Sequence, residues 1–217
     1  MKELRYKTGS VENKPAHYLP IYQRYLAEID AAAPIILELG VHRGDSLEML
    51  ADYFPAALVL GVDANPMDMA FSTPRIRAYQ GLQDDAALHQ RIMAENNIAD
   101  YDLIIDDCAH IGSLAAASFQ ILFPKLKPGG LYIIEDWGAG YWPKWPEGQR
   151  FDANLHFRHE SGVFPSHWNG LPGFIKQLVD EVAMPDITSS RGRGGDCPSL
   201  LEYLHVYHGL AVLKKAS

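Results

Sequence analysis

The sequence predicts an α/β domain built on a mostly parallel sheet that helices cover on both faces. Three observations carry that expectation. Strand-like and helix-like segments alternate along most of the chain, the strand-like runs are apolar throughout instead of alternating inward and outward, and several end at Gly or Asp where a helix follows. The 217 residues exceed the roughly 150 of an average domain, so one domain over 1–217 with an embellishment is the economical account.

Residues 17–30, HYLPIYQRYLAEID, form the helix of an N-terminal segment that spans 1–33. From Pro34 the run PIILELG reads as a buried first strand, and the VHRGDSLEMLADYF behind it sets Leu47, Leu50 and Phe54 on one helix face. ALVLGVD (57–63) is a second strand that stops at an acid ahead of Asn65-Pro66. RIRAYQG (75–81) is a weaker third, and DAALHQRIMAENN (85–97) is helical in pattern. YDLIIDD (101–107), SLAAASFQILFPKL (113–126) and GGLYIIEDW (129–137) then read as strand, helix, strand. At the end, SLLEYLHVYHG and LAVLKK flank His208-Gly209 as a hairpin that adds an antiparallel edge. The sum is a Rossmann-like, doubly wound architecture.

The embellishment has an address at 137–169, where Trp137, Tyr141, Trp142, Trp145, Phe151, Phe157, Phe164 and Trp168 lie among Pro and Gly. Such a loop either buries its rings on its own domain or walls a ligand site. Its start at the carboxyl end of a strand, where doubly wound folds bind ligands, favours a lid over an acceptor.

Composition excludes several functions. A formal charge of −8 without any Lys/Arg-rich run is a poor match for phosphate backbones, so nucleic acid is not an expected partner. No apolar run reaches 18 residues and none follows the basic start, so neither a membrane span nor a signal peptide is expected. Cys108 and Cys197 have no partner motif, which excludes a disulfide framework or a CxxC-type zinc site and fits a reducing cytoplasm. A homo-oligomer would form through the N-terminal helix or the edge hairpin, and neither carries a specific signal.

Between the first strand and its helix stand Glu38, Gly40, Gly44 and Ser46, whose glycines permit a sharp turn and close approach of a ligand to the helix N-terminus. The G-x-G-x-x-G of dinucleotide sites is absent, which disfavours a dehydrogenase. Asp63 ends the second strand, where a carboxylate grips both hydroxyls of a ribose or else caps the turn at Asn65. Gln83 and Asp84 face an adenine ring or cap the helix from 85. Together these features point to an adenosine ligand without a pyrophosphate, namely S-adenosylmethionine.

Asp106 and Asp107 end the fourth strand, His110 follows closely, and Glu135-Asp136 end the next. Neighbouring parallel strands lie about 4.8 Å apart, so these acids converge and raise one another's pKa unless a cation joins them. All-oxygen ligation suits Mg²⁺ or Mn²⁺. The expected ligands are Asp107, Glu135 and Asp136, with Asp106 on the cofactor side and His110 placed as a general base. His17, His156 and His159 are weaker candidates for an acceptor pocket.

The segments HYLPIYQRYL, ELGVHRGDSLEML, GVDANP, QGLQDD, LIIDDCAH and PGGLYIIEDW resemble class I S-adenosylmethionine-dependent methyltransferases. Within that class they resemble the metal-dependent sugar O-methyltransferases of macrolide biosynthesis, of the macrocin and mycinamicin type. The glycine motif is common to the whole class, whereas DDxxH followed by an ED pair is far more specific. The resemblance implies Mg²⁺ on the positions of Asp107, Glu135 and Asp136, and His110 as the base that takes a proton from an acceptor hydroxyl. Cys108-Ala109 replaces a more usual Gly-Ser. The Asp107 to Glu135 separation also resembles that of catechol O-methyltransferases, so a phenolic diol is the alternative acceptor. A non-catalytic S-adenosylmethionine-binding protein of the same fold is the alternative of another class.

Overall fold

The computed structural model describes residues 3–7, 14–65, 70–151 and 167–217. The helix α1 (Tyr18–Leu26) precedes a regular alternation: β1 (Ile35–Leu39), α2 (Asp45–Tyr53), β2 (Leu58–Asp63), β3 (Ile76–Gln80), α3 (Ala86–Glu95), β4 (Tyr101–Asp106), α4 (Gly112–Leu122) and β5 (Leu126–Glu135). After two 3₁₀ turns, Trp137–Tyr141 and Gly148–Arg150, come α5 (Gly170–Val182), α6 (Met184–Ile187), β6 (Leu201–Val206) and β7 (Leu210–Lys215). Among the described residues, seven strands form one sheet in the order β3-β2-β1-β4-β5-β7-β6.

The expected C-terminal hairpin forms, and β7 inserts between β5 and β6. Because β7 runs antiparallel to both, it is the one reversed strand among the described residues. The weaker third strand is the opposite edge, which explains why only Ile76 of it is buried.

Apolar strands fit because both faces are covered. Leu37, Leu39, Ile104, Tyr132 and Ile134 pack on one side under α4 and α5, with Phe174, Ile175 and Leu178 from α5. Ile36, Leu103, Ile105 and Ile133 pack on the other under α1 and α2, with Tyr18, Tyr22, Leu47 and Leu50. Side chains alternate faces along a strand, so each strand supplies both layers. Helix α5 was not anticipated. Its buried Leu171, Phe174, Ile175 and Leu178 do recur at helical spacing, but the Gly and Pro of GLPGF disguise the pattern.

Candidate active site

Strand register builds the site. Leu39 pairs with Asp106 and Asp106 with Ile134, so the next residues along, Gly40, Asp107 and Glu135, form a row across β1, β4 and β5. Gly40 belongs there for a steric reason. A Cβ on it would lie 2.1 Å from the Asp107 carbonyl oxygen, and its φ is +88°. Two residues back from Gly40, on the same face of β1, stands Glu38. One ligand oxygen from each of Glu38, Asp107 and Glu135 falls within 4.8 Å of the others. Asp136 lies just past the strand at φ +50°, a turn that brings its carboxylate to the same end. It groups with Asp107 and His110, again within 4.8 Å. The expected trio of Asp107, Glu135 and Asp136 is thus divided between two groups that share Asp107.

A residue that the sequence reading missed sits among these acids. Lys14 Nζ lies 2.5 Å from Glu135 Oε1, 2.8 Å from Asp107 Oδ2 and 3.1 Å from Glu38 Oε1. Burial alone would strip its proton, but Asp107, Glu135 and Glu38 outweigh that and hold its pKa well above the ordinary lysine value. Burial raises Glu135 above the ordinary carboxylate range against the pull of Lys14, and raises Glu38 likewise. Helix α1 adds two phenols. Tyr22 donates to Glu135 Oε1 and Tyr18 to Asp136 Oδ1, both at 2.5 Å. Burial pushes both phenols up, so they stay protonated donors. Tyr18 and Tyr22 lie one helical turn apart on α1, whereas Lys14 precedes the helix and nothing local in the sequence pointed it at these acids.

Beside the acids opens a cavity of about 640 Å³, lined by Gly40, Asp63, Leu82, Gln83, Asp84, Cys108, His110 and Trp145 among others. Of the expected cofactor contacts, Gly40, Asp63, Gln83 and Asp84 line this cavity, and Ser46 lines a smaller one of about 200 Å³. Asp63 Oδ2 accepts from the backbone N–H groups of Val41 and His42, each at 2.9 Å, and Oδ1 from Asn65 N at 2.8 Å. Burial works against its charge, but the donors from Asn65, His42 and Val41 prevail and hold its pKa below the ordinary range. It anchors the glycine turn as well as facing the cavity. Gln83 donates to Ser118 Oγ at 3.1 Å, and the cap of α3 is Asp85, not Gln83 or Asp84.

Of the other residues expected on the cofactor side, Glu38, Gly44 and Asp106 are not among those lining the two cavities. Gly44 caps α2 at φ +80°, and Glu38 is buried against Lys14 and Ser46. Asp106 points to the opposite face of the sheet from Asp107, where it accepts from Ser118 Oγ at 2.7 Å and Tyr132 OH at 3.3 Å. Adjacent residues on a strand cannot share a face, so the DD pair divides. Burial raises Asp106 to about 6.

His110 follows Ala109 in the left-handed region, at φ +48° and +52°. Its ring meets the edge of Trp145 at a centroid distance of 5.1 Å, which sets the first part of the aromatic insertion against the expected base. Glu147 fastens that part down: one oxygen accepts from Gly112 N at the start of α4 (3.0 Å), the other from Leu171 N at the start of α5 (2.6 Å). His17 stacks on His208 at 4.5 Å on the exposed rim. His156 and His159 lie outside the described residues, as does 152–166 of the insertion.

The donor set suits the cation expected from the sequence. It consists of hard carboxylate oxygens with an imidazole beside them, and the Lys14 ammonium shows that the crevice accepts positive charge. One reversed strand at the sixth place of a seven-stranded sheet, with acids at β1, β4 and β5 beside a cleft at the strand ends, defines a Rossmann-like methyltransferase fold.

No protein-family model matches the chain. It is 31% identical over 207 residues to the 8-demethyl-8-(2-methoxy-alpha-L-rhamnosyl)-tetracenomycin-C 3'-O-methyltransferase of Streptomyces olivaceus, covering 91% of this chain and 49% of that protein. It is 32% identical to the mycinamicin VI 2''-O-methyltransferase of Micromonospora griseorubida, covering 91% of this chain and 48% of that one. Among solved structures, the MycE methyltransferase of the mycinamycin biosynthetic pathway, in complex with Mg and SAH, superposes with a TM-score of 0.71 at 31% identity over 92% of this chain and 49% of its own. In sequence and fold the chain is similar to these natural-product sugar O-methyltransferases. It spans about half the length of the curated relatives it matches.

Proposed function

We propose that the chain is a single methyltransferase domain over 1–217 that moves a methyl group from S-adenosylmethionine to a hydroxyl of a sugar or glycosylated natural product, with a divalent metal. The observation that carries this is the meeting of Asp107, Asp136 and His110, of which Asp107 and His110 line the same cavity as Gly40, Asp63 and Gln83. Support comes from the relatives, whose names are those of sugar O-methyltransferases, and from the solved relative that holds Mg and SAH.

In this reading Asp63 takes the ribose hydroxyls and Leu82 to Asp84 border the adenine. Asp107, Glu135 and Asp136 hold Mg²⁺ or Mn²⁺, with Tyr18 and Tyr22 fixing two of them from behind. Bound there, such an ion would supply Lewis acidity to the acceptor hydroxyl. His110 accepts the hydroxyl proton as the oxygen forms its bond to the methyl carbon and the carbon–sulfur bond breaks, leaving S-adenosylhomocysteine. The domain's contribution is to align the reacting atoms, about 3–3.5 Å apart, and to exclude water. Residues 137–169 are the acceptor lid, with Trp145 as its described inner wall. A cytoplasmic setting fits the two free cysteines, and none of the described helices is long and apolar enough to cross a membrane.

The test is a methyl-transfer assay on a panel of rhamnosylated natural products and catechols, with EDTA and with Mn²⁺ restored. Transfer to the glycosides that EDTA abolishes and Mn²⁺ restores is the expected result. Transfer that survives EDTA refutes the metal, and transfer confined to catechols refutes the sugar acceptor.

A further inference from the structure

We propose that Lys14 is a built-in cation that competes with the divalent metal for Asp107 and Glu135. The inference rests on the metal reading above and adds a residue to it.

Lys14 makes three ion pairs with site acids, and its side chain is only 6% exposed. A buried carboxylate without a partner is strongly disfavoured, so the ammonium makes Glu38 and Glu135 tolerable at the strand ends. Yet two of its three oxygens belong to expected metal ligands. A metal ion drawn to those oxygens stands next to the ammonium in surroundings of low dielectric, where like charges repel strongly. Of the three acids only Glu38 lies outside the expected ligand set, which leaves the ammonium a place to retreat to.

The position of Lys14 in the chain gives the exchange a consequence. It is followed by Pro15, its backbone N–H donates to Tyr6 OH at 2.9 Å, and Tyr6, Lys14 and Pro15 together wall the 200 Å³ cavity that also exposes Asp107, Glu135 and Asp136. The Lys14 ion pairs, which a metal ion would weaken, are among the contacts that hold the segment ahead of α1 to the sheet ends, beside the His17 contact with the His208 carbonyl. Metal loading would thereby loosen this wall.

The experiment is titration of MnCl₂ into the metal-free full chain, native and Lys14→Met, by calorimetry. Met keeps the length and removes the charge. The proposal expects Lys14→Met to bind Mn²⁺ at least about tenfold more tightly, and equal or weaker binding overturns it. Should Lys14→Met fail to fold, hydrogen exchange of the native chain decides: saturating Mn²⁺ should speed exchange at the amides of Lys14, Ala16 and His17, and unchanged or slower exchange overturns the proposal. If neither the native chain nor Lys14→Met takes up Mn²⁺, the metal reading itself is refuted. Uptake without the Lys14 effect refutes only this inference.

Discussion

Ala109 and His110 occupy left-handed backbone, as do His42 and Asp136 on neighbouring turns. Non-glycine residues pay about 1–3 kcal/mol for sparsely populated backbone, and such strain clusters where side chains must be aimed. Here it aims His110 and Asp136 at Asp107 across the gap between β4 and β5. If His110 is the base, His110→Ala should lower methyl-transfer kcat by about 10²–10⁴-fold. Calorimetric affinity for S-adenosylhomocysteine should stay within a few-fold of native, and an unchanged kcat would remove the histidine from the chemistry. Asp106 offers a pH test. Its pKa rises from 3.8 when exposed to about 6 in the fold, so between those values the folded state holds the extra proton and stability falls as pH rises. Asp106→Asn cannot titrate. Measured by urea unfolding, its stability relative to native should therefore grow by the order of 2 kcal/mol from pH 4.5 to pH 7.5. A flat difference would mean that Asp106 is not buried as described.

Helix ends and strand ends do most of the placing at the scale of elements. Helices α4 and α5 begin so close together that a Cβ on Gly112 would lie 2.1 Å from the Gly170 carbonyl carbon, and Glu147 serves both N-termini with one carboxylate. A negative group at a helix N-terminus both satisfies free N–H groups and complements the helix dipole. Glu147→Ala should cost about 1–2 kcal/mol of unfolding free energy, read from a denaturant midpoint. Because the same segment carries Trp145, it should also raise KM for the acceptor more than for S-adenosylmethionine. Helix α1 has a comparable double role: its tyrosines fill the core under β1, β4 and β5 while their hydroxyls reach Glu135 and Asp136.

The molecule as a whole is a sheet whose carboxyl edge gathers residues from every crossover. Ligand binding should therefore stabilise the fold. At a hundred times its Kd, S-adenosylhomocysteine should add about 2.7 kcal/mol by mass action, seen as a rise in Tm. Removal of metal by EDTA should abolish transfer while leaving the chain folded, because Lys14 still pairs with Glu38 and Glu135. Loss of the cooperative unfolding transition in EDTA would contradict that role for Lys14.

By itself the sequence determined the strand segments, their parallel character, and the positions of Gly40, Asp63, Asp107, His110 and Glu135 at or just past strand ends, since apolar runs and the residues that close them are local properties. The opposite faces of Asp106 and Asp107 were legible too, because strand side chains alternate, though a shared crevice suggested otherwise. Other features only the tertiary structure decided. Lys14 lies far from Asp107 and Glu135 along the chain, and no local pattern states which cation a buried acid meets. Likewise Glu147 reveals its two helices, and α1 its hydroxyl contacts, only once β1, β4 and β5 stand in register. Burial fixes which charges must pair, and burial is a property of the folded chain.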